Sequence, residues 1–487
     1  MPDILPVCLQ NILHRGQSDL CNAAEVKLIR ADDRYLAFDV NSGSLHELDA
    51  VAWELLHRFQ GSGDWRQSLT GTAQSYGQEQ VGAAAAEVAV LHEAGRLFTP
   101  DPGWERYIPD AGPDLKALCF NISDACNMSC GYCFVPRQVR TGREIMPVKV
   151  IRAALDFLLS SSTHRHLAVD FFGGEPLLNF SGIRDGVAYA LDRGRDRDWK
   201  FTLTTNTLLF DEDVISFTAG HNFGLVLSCD GRPEIHDGFR VMPDGRGTAD
   251  AVARRLQNYL RVAARQEHYI RGTYTRRNLD FTEDVRYLAA LGVRSLSLEP
   301  VVADAGQSYA IREEDIPGIR KEYLRLARWL REQELAGQKV SFYHYQLDLA
   351  GGPCAAKRLT GCGAGYQYLA VTPGGKLYPC HQFVGHPEYC LGDLNRGITR
   401  PDLQEQFRQA HIFSKPVCRS CWARFLCGGG CHAQAALQSG DLHHPGPLTC
   451  ELVQARLEGA LYYLALGQSL QENGIDKLAS DGVKNPI

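Results

Sequence analysis

The 487-residue chain has no stretch of about 18 uninterrupted apolar residues, so no membrane-spanning helix and no membrane partner are expected. Positive charge is not in excess. Lys and Arg number 51 against 57 Asp and Glu, a net of −6, which gives no global pull toward nucleic acid and leaves room only for a local basic groove. Internal repeats and low-complexity tracts are absent, and Met1-Pro2-Asp3-Ile4 lacks the basic-then-apolar order of a signal peptide, so a cytoplasmic location is expected. With 44% hydrophobic and 22% charged residues, wholesale disorder and fibrous architectures are excluded. The length allows about two to four domains and a large core.

Cysteine is what the chain has in abundance: 16 residues, at 8, 21, 119, 126, 130, 133, 229, 354, 362, 380, 390, 418, 421, 427, 431 and 450. In a reducing cytosol such usage points to metal ligation or redox chemistry before disulfides. Two clusters, far apart in sequence, imply two metal-bearing regions.

Between Glu25 and Asp110 alternating strands at Val26 to Ile29 and Tyr35 to Asp39, a turn at Asn41-Ser42-Gly43, and Ser44 to Glu47 predict a small sheet. Helical stretches follow at Val51 to Phe59, Trp65 to Tyr76 and Val81 to Ala94, the third resting on propensity. A Pro- and Gly-rich linker runs from Pro100 to Pro113. Strands are then predicted at Leu115 to Ile122, Leu167 to Phe172, Lys200 to Thr205, Gly224 to Ser228, Tyr269 to Thr275 and Ser295 to Glu299. Helices lie between them: one from Pro147 with Val148, Ile151, Leu155 and Leu158 at helix spacing, then Ala251 to Ala264 and Phe281 to Leu291. This alternation implies an α/β fold, an open or partial parallel barrel with chemistry at the carboxyl ends of its strands. A long helix from Glu313 to Ala336, apolar at Ile316, Ile319, Tyr323, Leu326 and Leu330, leads to the Cys-rich tail.

Directly after the first barrel strand, Cys126, Cys130 and Cys133 form a C-x3-C-x2-C loop. A cubane iron-sulfur cluster takes four ligands, so three thiolates leave one iron open to a small molecule. A zinc knuckle lacking its fourth ligand, or three packed thiols, is the alternative.

This motif resembles that of radical S-adenosylmethionine (SAM) enzymes, in which the open iron chelates the methionine part of SAM and reductive cleavage yields a hydrogen-abstracting 5'-deoxyadenosyl radical. Further segments agree at strand ends: Gly173-Gly174-Glu175-Pro176, Thr204-Thr205-Asn206 and Ser228-Cys229-Asp230-Gly231. The resemblance implies that Gly173, Gly174 and Glu175 face the methionine amino group and that Thr205, Asn206, Ser228 and Asp230 make ribose and carboxylate contacts. Arg240 is the expected carboxylate partner, and Tyr132 is expected near the adenine. Taken singly, each is an ordinary turn, strand end or surface charge; their order on successive strands carries the reading.

Cys362, Gly375 with Cys380, Cys418-x2-Cys421-x5-Cys427-x3-Cys431 and Cys450 fit C-x12-G-x4-C...C-x2-C-x5-C-x3-C...C. This resembles the SPASM extension of peptide-modifying radical SAM enzymes, which holds two auxiliary 4Fe-4S clusters. With Cys354 the ligands number eight, enough for two sites. The resemblance implies Cys354, Cys362, Cys380 and Cys431 for the nearer cluster, and Cys418, Cys421, Cys427 and Cys450 for the farther. A pair of zinc sites is the alternative. Cys8, Cys21, Cys119, Cys229 and Cys390 are expected to be packed thiols.

Several segments resemble the maturases of six-cysteine (SCIFF) peptides: Phe38 to Gly43, Leu115 to Cys119, Arg271-Gly272-Thr273, Asn278 to Asp284, Glu299 to Val302 and Pro379 to Gly385. That family forms thioether cross-links, Cys sulfur to carbon, in ribosomally made peptides. The implied organisation is a leader-recognition-like α+β module (1–110), a partial (β/α)6 radical SAM barrel (111–310), a linking helix (311–345), a Cys-rich SPASM domain (346–460) and a tail (461–487). In the first module a leader segment would add as a strand to the sheet; a structural cap is the plainer alternative. Implied cofactors are three 4Fe-4S clusters and SAM, and implied partners are a Cys-rich precursor peptide with a leader and an electron donor such as flavodoxin or ferredoxin. Sulfatase maturases, which form formylglycine, carry Asp directly after the Gly-x4-Cys cysteine, where this chain has His381. The maturase of quinohemoprotein amine dehydrogenase is a closer alternative, and an iron-sulfur redox protein that never cleaves SAM is the non-enzymatic one. His381 and Asp393 are the candidate bases. Acceptor carbon, reductant and oligomeric state are not legible.

Overall fold

The computed structural model describes residues 25–472 apart from 33, 102, 104–106, 108, 110–113, 136–143, 264–265, 348 and 350–358. Cys8, Cys21, Cys354 and much of the expected linker lie outside the described residues.

Strands β1 (Val26–Ala31), β2 (Arg34–Asp39) and β3 (Leu45–Leu48) form an antiparallel sheet, followed by helices Ala50–Ser62, Trp65–Tyr76 and Gln78–Glu93. Asp49 and Asp64 cap the first two helices by accepting backbone N–H groups. One sheet face, with Val26 and Ala37, packs on Leu55, Leu56, Phe59, Trp65 and Val88. The other face, with Ile29, Ala31, Leu36 and Phe38, joins the main core. Strict alternation along β2 is what lets one short strand serve both.

The barrel strands are β4 (Ala117–Ser123), β5 (His166–Gly173), β6 (Asp198–Thr205), β7 (Gly224–Ser228), β8 (His268–Tyr274) and β9 (Ser295–Pro300), each parallel to the next. The parallel order β4 to β9 is the expected one, and each boundary falls within two residues of the sequence reading. Helices Phe180–Arg193 and Glu212–Gly220, not singled out in the sequence, also cover the sheet.

The tail extends this sheet. Strand β10 (Ser341–Phe342) pairs with β9, and β11 (Tyr368–Val371) pairs parallel with β4, followed by antiparallel β12 (Lys376–Tyr378), β13 (Gly392–Asp393) and β14 (Gly397–Ile398). The sheet therefore stays open, with 11 strands. A four-residue run between glycine turns is too short to read as a strand by pattern alone. Helix Ile316–Leu335 packs along helix Pro447–Glu472, which runs on through residue 461, where a tail was expected to begin. Arg320 pairs with Glu451 at 2.6 Å and with Glu458, and the Arg331 guanidinium lies 4.5 Å from the Tyr463 ring centre. Among the described residues no helix is long and apolar enough to cross a membrane.

Candidate active site

The loop after β4 is clamped on both sides. On one side, Ser123 O accepts from Gly174 N at 2.7 Å and Ala125 O from Glu175 N at 2.8 Å. A Cβ on Gly173 would lie 2.3 Å from Ser123 O, and one on Gly174 2.4 Å from Ala125 O, so both positions require glycine for backbone to meet backbone. On the other side, Ser129 N donates to Val241 O at 2.7 Å and Gly131 N to Phe239 O at 2.9 Å. Cys126, Cys130 and Cys133 are thereby held against one cavity of about 570 Å³. Burial pushes the Cys126 thiol up to about 12, with Glu175 and the other two cysteines adding to the effect. Such a thiol becomes a ligand when a metal displaces its proton.

Gly173, Gly174, Thr205, Asn206, Ser228, Arg240 and Tyr132 line the same cavity. The Tyr132 hydroxyl donates to Asp230, Arg240 Nε lies 3.0 Å from Asp230 Oδ1, and the Arg240 guanidinium sits 5.6 Å from the Tyr132 ring centre. Asp230, fully buried, also accepts from Thr273 N at 3.0 Å. It therefore fixes Arg240 and Tyr132 from beneath. Asn206 Nδ2 donates to Asn127 Oδ1 at 2.6 Å and lies 3.7 Å from Cys126 Sγ.

Glu175 is placed differently. Its side chain is fully buried and accepts from Leu177 N at 3.0 Å, Thr205 Oγ1 at 2.7 Å and Asn206 N at 2.8 Å. It ties the end of β5 to the end of β6, and burial pushes its carboxyl up to about 7.

Sequence reasoning assigned no role to a second group on the cavity wall: Arg271, Glu299 and Arg456. Glu299 Oε1 lies 2.7 Å from His344 Nε2, and its Oε2 accepts from Arg456 Nη1 at 3.1 Å. Burial opposes the Glu299 charge, yet His344, Arg456 and Arg271 together hold its carboxyl well below the usual range. Position at the end of the sixth barrel strand was the available signal. His381 is also in the cavity, its ring 4.3 Å from that of Phe172, with Nδ1 buried and unpartnered among the described residues. Burial, helped by Arg271, lowers its pKa to about 4, so the imidazole is neutral near pH 7. Asp393 does not join it: on β13 it holds Arg396 at 2.7 Å and is not among the residues lining the cavity.

The tail cysteines fall into two electrostatic groups. Cys380 feels Cys431 and Cys362, while Cys418 feels Cys427, Cys450 and Cys421. Cys427 and Cys431 reach the cavity that the first three cysteines line. Among the described residues no three His, Cys, Asp or Glu side chains converge on one metal ion. The donor set is all thiol, which suits iron-sulfur clusters. Cys119 and Cys229 are buried and Cys390 half-buried.

Comparison with known proteins agrees with this geometry. Residues 120–262 match the Radical SAM superfamily, and residues 362–422 match the iron-sulfur cluster-binding domain SPASM. The mycofactocin maturase MftC of Mycolicibacterium smegmatis is 25% identical over 345 residues, covering 68% of this chain and 81% of its own. A cysteine-type anaerobic sulfatase-maturating enzyme of Clostridium perfringens is 25% identical over 345 residues, covering 66% and 89%. Among solved structures, anSMEcpe with bound AdoMet superposes with a TM-score of 0.59 at 20% identity, covering 75% of this chain and all of that one. SuiB of Streptococcus suis, bound to precursor peptide SuiA, gives 0.50 at 15% identity, covering 88% and 100%. The chain carries a radical SAM domain and a C-terminal SPASM domain; the first implies a 4Fe-4S cluster and SAM, and the second suggests auxiliary clusters.

Proposed function

We propose that this enzyme forms intramolecular thioether bonds in a Cys-rich precursor peptide. The observation that carries the reading is that one cavity is lined both by Cys126, Cys130 and Cys133 and by Cys427 and Cys431. A peptide segment seated there meets both cofactor regions at once. The similarity to MftC and to SuiB bound to SuiA supports a peptide substrate.

Three thiolates on the first loop would hold the SAM-binding cluster, and the tail thiols, with Cys354, the two auxiliary ones. When bound, cluster and SAM together supply a 5'-deoxyadenosyl radical. Joining a thiol to a C–H carbon removes two hydrogens: one would leave as an atom to that radical and the other as a proton, and an auxiliary cluster held by the tail thiols would supply the acceptor for the remaining electron. Arg240, braced by Asp230, would orient the SAM carboxylate. His381 is the proposed proton acceptor, because it lines the cavity and its Nδ1 is buried and unpartnered among the described residues. Phe172 packs on that ring and keeps it oriented. The module at residues 25–99 would hold the leader as a strand added to its small sheet. The chain's cytoplasmic location and its electron donor, a flavodoxin or ferredoxin, belong to the same reading.

A second reading, oxidation of a cysteine to formylglycine, is favoured by the likeness to the sulfatase-maturating enzyme. Mass spectrometry of a Cys-rich precursor separates them. A thioether lowers the mass by two hydrogens and protects a thiol from alkylation, whereas formylglycine loses the sulfur. Loss of sulfur would overturn the thioether reading.

A further inference from the structure

Lys415 is fully buried, with no surface exposure at all. A buried ammonium is stable only when its charge is met by an opposing one or by hydrogen bonds. Its Nζ donates to Gly429 O at 2.8 Å, and among the described residues no carboxylate pairs with it. What faces it instead is sulfur. Gly429 lies two residues from Cys427 and two from Cys431, so this bond anchors Nζ between a cysteine of each tail group; burial lowers the Lys415 pKa, and Cys418, Cys427, Cys431 and Cys362 act to raise it. Both tail groups are therefore represented. Gly429 has φ of +88°, the left-handed region that favours glycine. His411 and His432, close enough to feel the same charge, are held neutral by burial and add no competing cation.

We infer that Lys415 is the built-in counter-charge of the two auxiliary clusters, placed between their ligand sets so that one cation stabilises the reduced state of both. The inference rests on the proposed assignment of the tail cysteines as cluster ligands. Each one-electron reduction adds a negative charge to a cluster, so a nearby fixed cation favours the reduced form and raises the potential. The consequence for the reaction is direct. Thioether formation releases one electron after the hydrogen atom and the proton have left, and a raised potential makes an auxiliary cluster a better acceptor for it. Lys415 touches no reacting atom; it is a positioning residue acting through the clusters.

The test is an EPR-monitored redox titration of the holoenzyme, with Lys415→Met as the nearly isosteric neutral variant and Lys415→Arg as the charge-conserving one. At the wild-type midpoint of the auxiliary signals, Lys415→Met should raise the oxidised-to-reduced ratio about tenfold, a downward shift of about 59 mV for a one-electron couple. Lys415→Arg should stay near wild type, and the SAM-binding cluster, identified by its spectral change on adding SAM, should not move. A fully iron-loaded Lys415→Met enzyme with wild-type auxiliary potentials overturns the inference, as does an equal shift in Lys415→Arg. Loss of tail iron in Lys415→Met but not in Lys415→Arg supports it; loss in both overturns it, since charge is then not what matters. Failure of the underlying assignment shows separately, as a wild-type enzyme with no auxiliary signals.

Discussion

The three thiols of the first loop and the seven described candidate ligand thiols of the tail are held by different means. The first three lie within eight consecutive residues, and two hydrogen-bonded clamps, one from the end of β5 and one from the segment after β7, press that loop onto the barrel mouth. The tail thiols are gathered from Cys362 to Cys450 by short helices, and by three successive left-handed glycines, Gly428, Gly429 and Gly430, with φ of 69°, 88° and 75°. A compact loop depends on its immediate strand ends. A dispersed set depends on everything that packs around it, including a module from the other end of the chain. Arg424, between Cys421 and Cys427, is buried against Glu25 and Asn41 of the N-terminal module, and Phe38 packs edge-on to Trp422.

The largest expected effect separates the two regions outright. Changing Cys126, Cys130 and Cys133 together to Ala should abolish SAM cleavage and remove about a third of the iron, leaving the tail clusters in place. Iron analysis and 5'-deoxyadenosine assay read both outcomes; undiminished 5'-deoxyadenosine would end the assignment. Next comes the brace across the chain. Arg424→Met strands Glu25 in a partly buried setting and should cost about 3–5 kcal/mol of stability, seen as a lower denaturation midpoint and lost tail iron, with the first cluster spared. A drop in both iron pools alike would show that the regions are not separable.

How much of this was legible follows the same division. The barrel strands could be read within two residues and the three module helices within three, because periodicity and propensity are local signals. The helix Glu212–Gly220 was missed although Asp211 caps it through Val214 N. The pairing of β11 with β4 was not legible, since a four-residue strand acquires its meaning from a partner some 250 residues away. At the site, residue identities were legible but directions were not. Glu175 reads as a cavity carboxylate and is a buried tie; Glu299 reads as part of a resemblance segment and lines the cavity wall. The segment Asn278 to Asp284 also acquires a structural role, because Arg232 forks onto Asp280 at 2.8 Å and Asp284 at 2.8 Å beside the Asp230 loop.

The tie made by Glu175 gives a pH test of the clamp. Its carboxyl is raised from 4.5 to about 7 by burial, so the folded state holds a proton that the unfolded chain releases between those values. Its contribution is fully present below about pH 4.5 and is lost as pH rises through about 7, a total of about 3 kcal/mol. Denaturation of the iron-free protein should therefore show a falling midpoint across that window, and Glu175→Gln, which cannot ionise, should flatten it. An identical slope in the variant would mean that the three donors keep Glu175 ionised throughout.

The smallest effect concerns the ligand side of the first region. Arg240 lines the cavity with its Nε on Asp230, so it reaches the site already oriented. If it binds the SAM carboxylate, Arg240→Ala should weaken SAM binding by about 1–3 kcal/mol, the range for one lost charge-assisted contact, without changing iron content. Asp230→Asn sharpens the point. It keeps hydrogen-bonding atoms near Thr273 N and the Tyr132 hydroxyl but removes the charge that fixes the guanidinium, so its effect on affinity should be smaller and of the same sign. Isothermal titration with SAM on reconstituted protein distinguishes the cases. Wild-type affinity in Arg240→Ala would mean that the guanidinium serves Asp230 alone, and that the first region, like the tail, is held together by its charges rather than using them on a ligand.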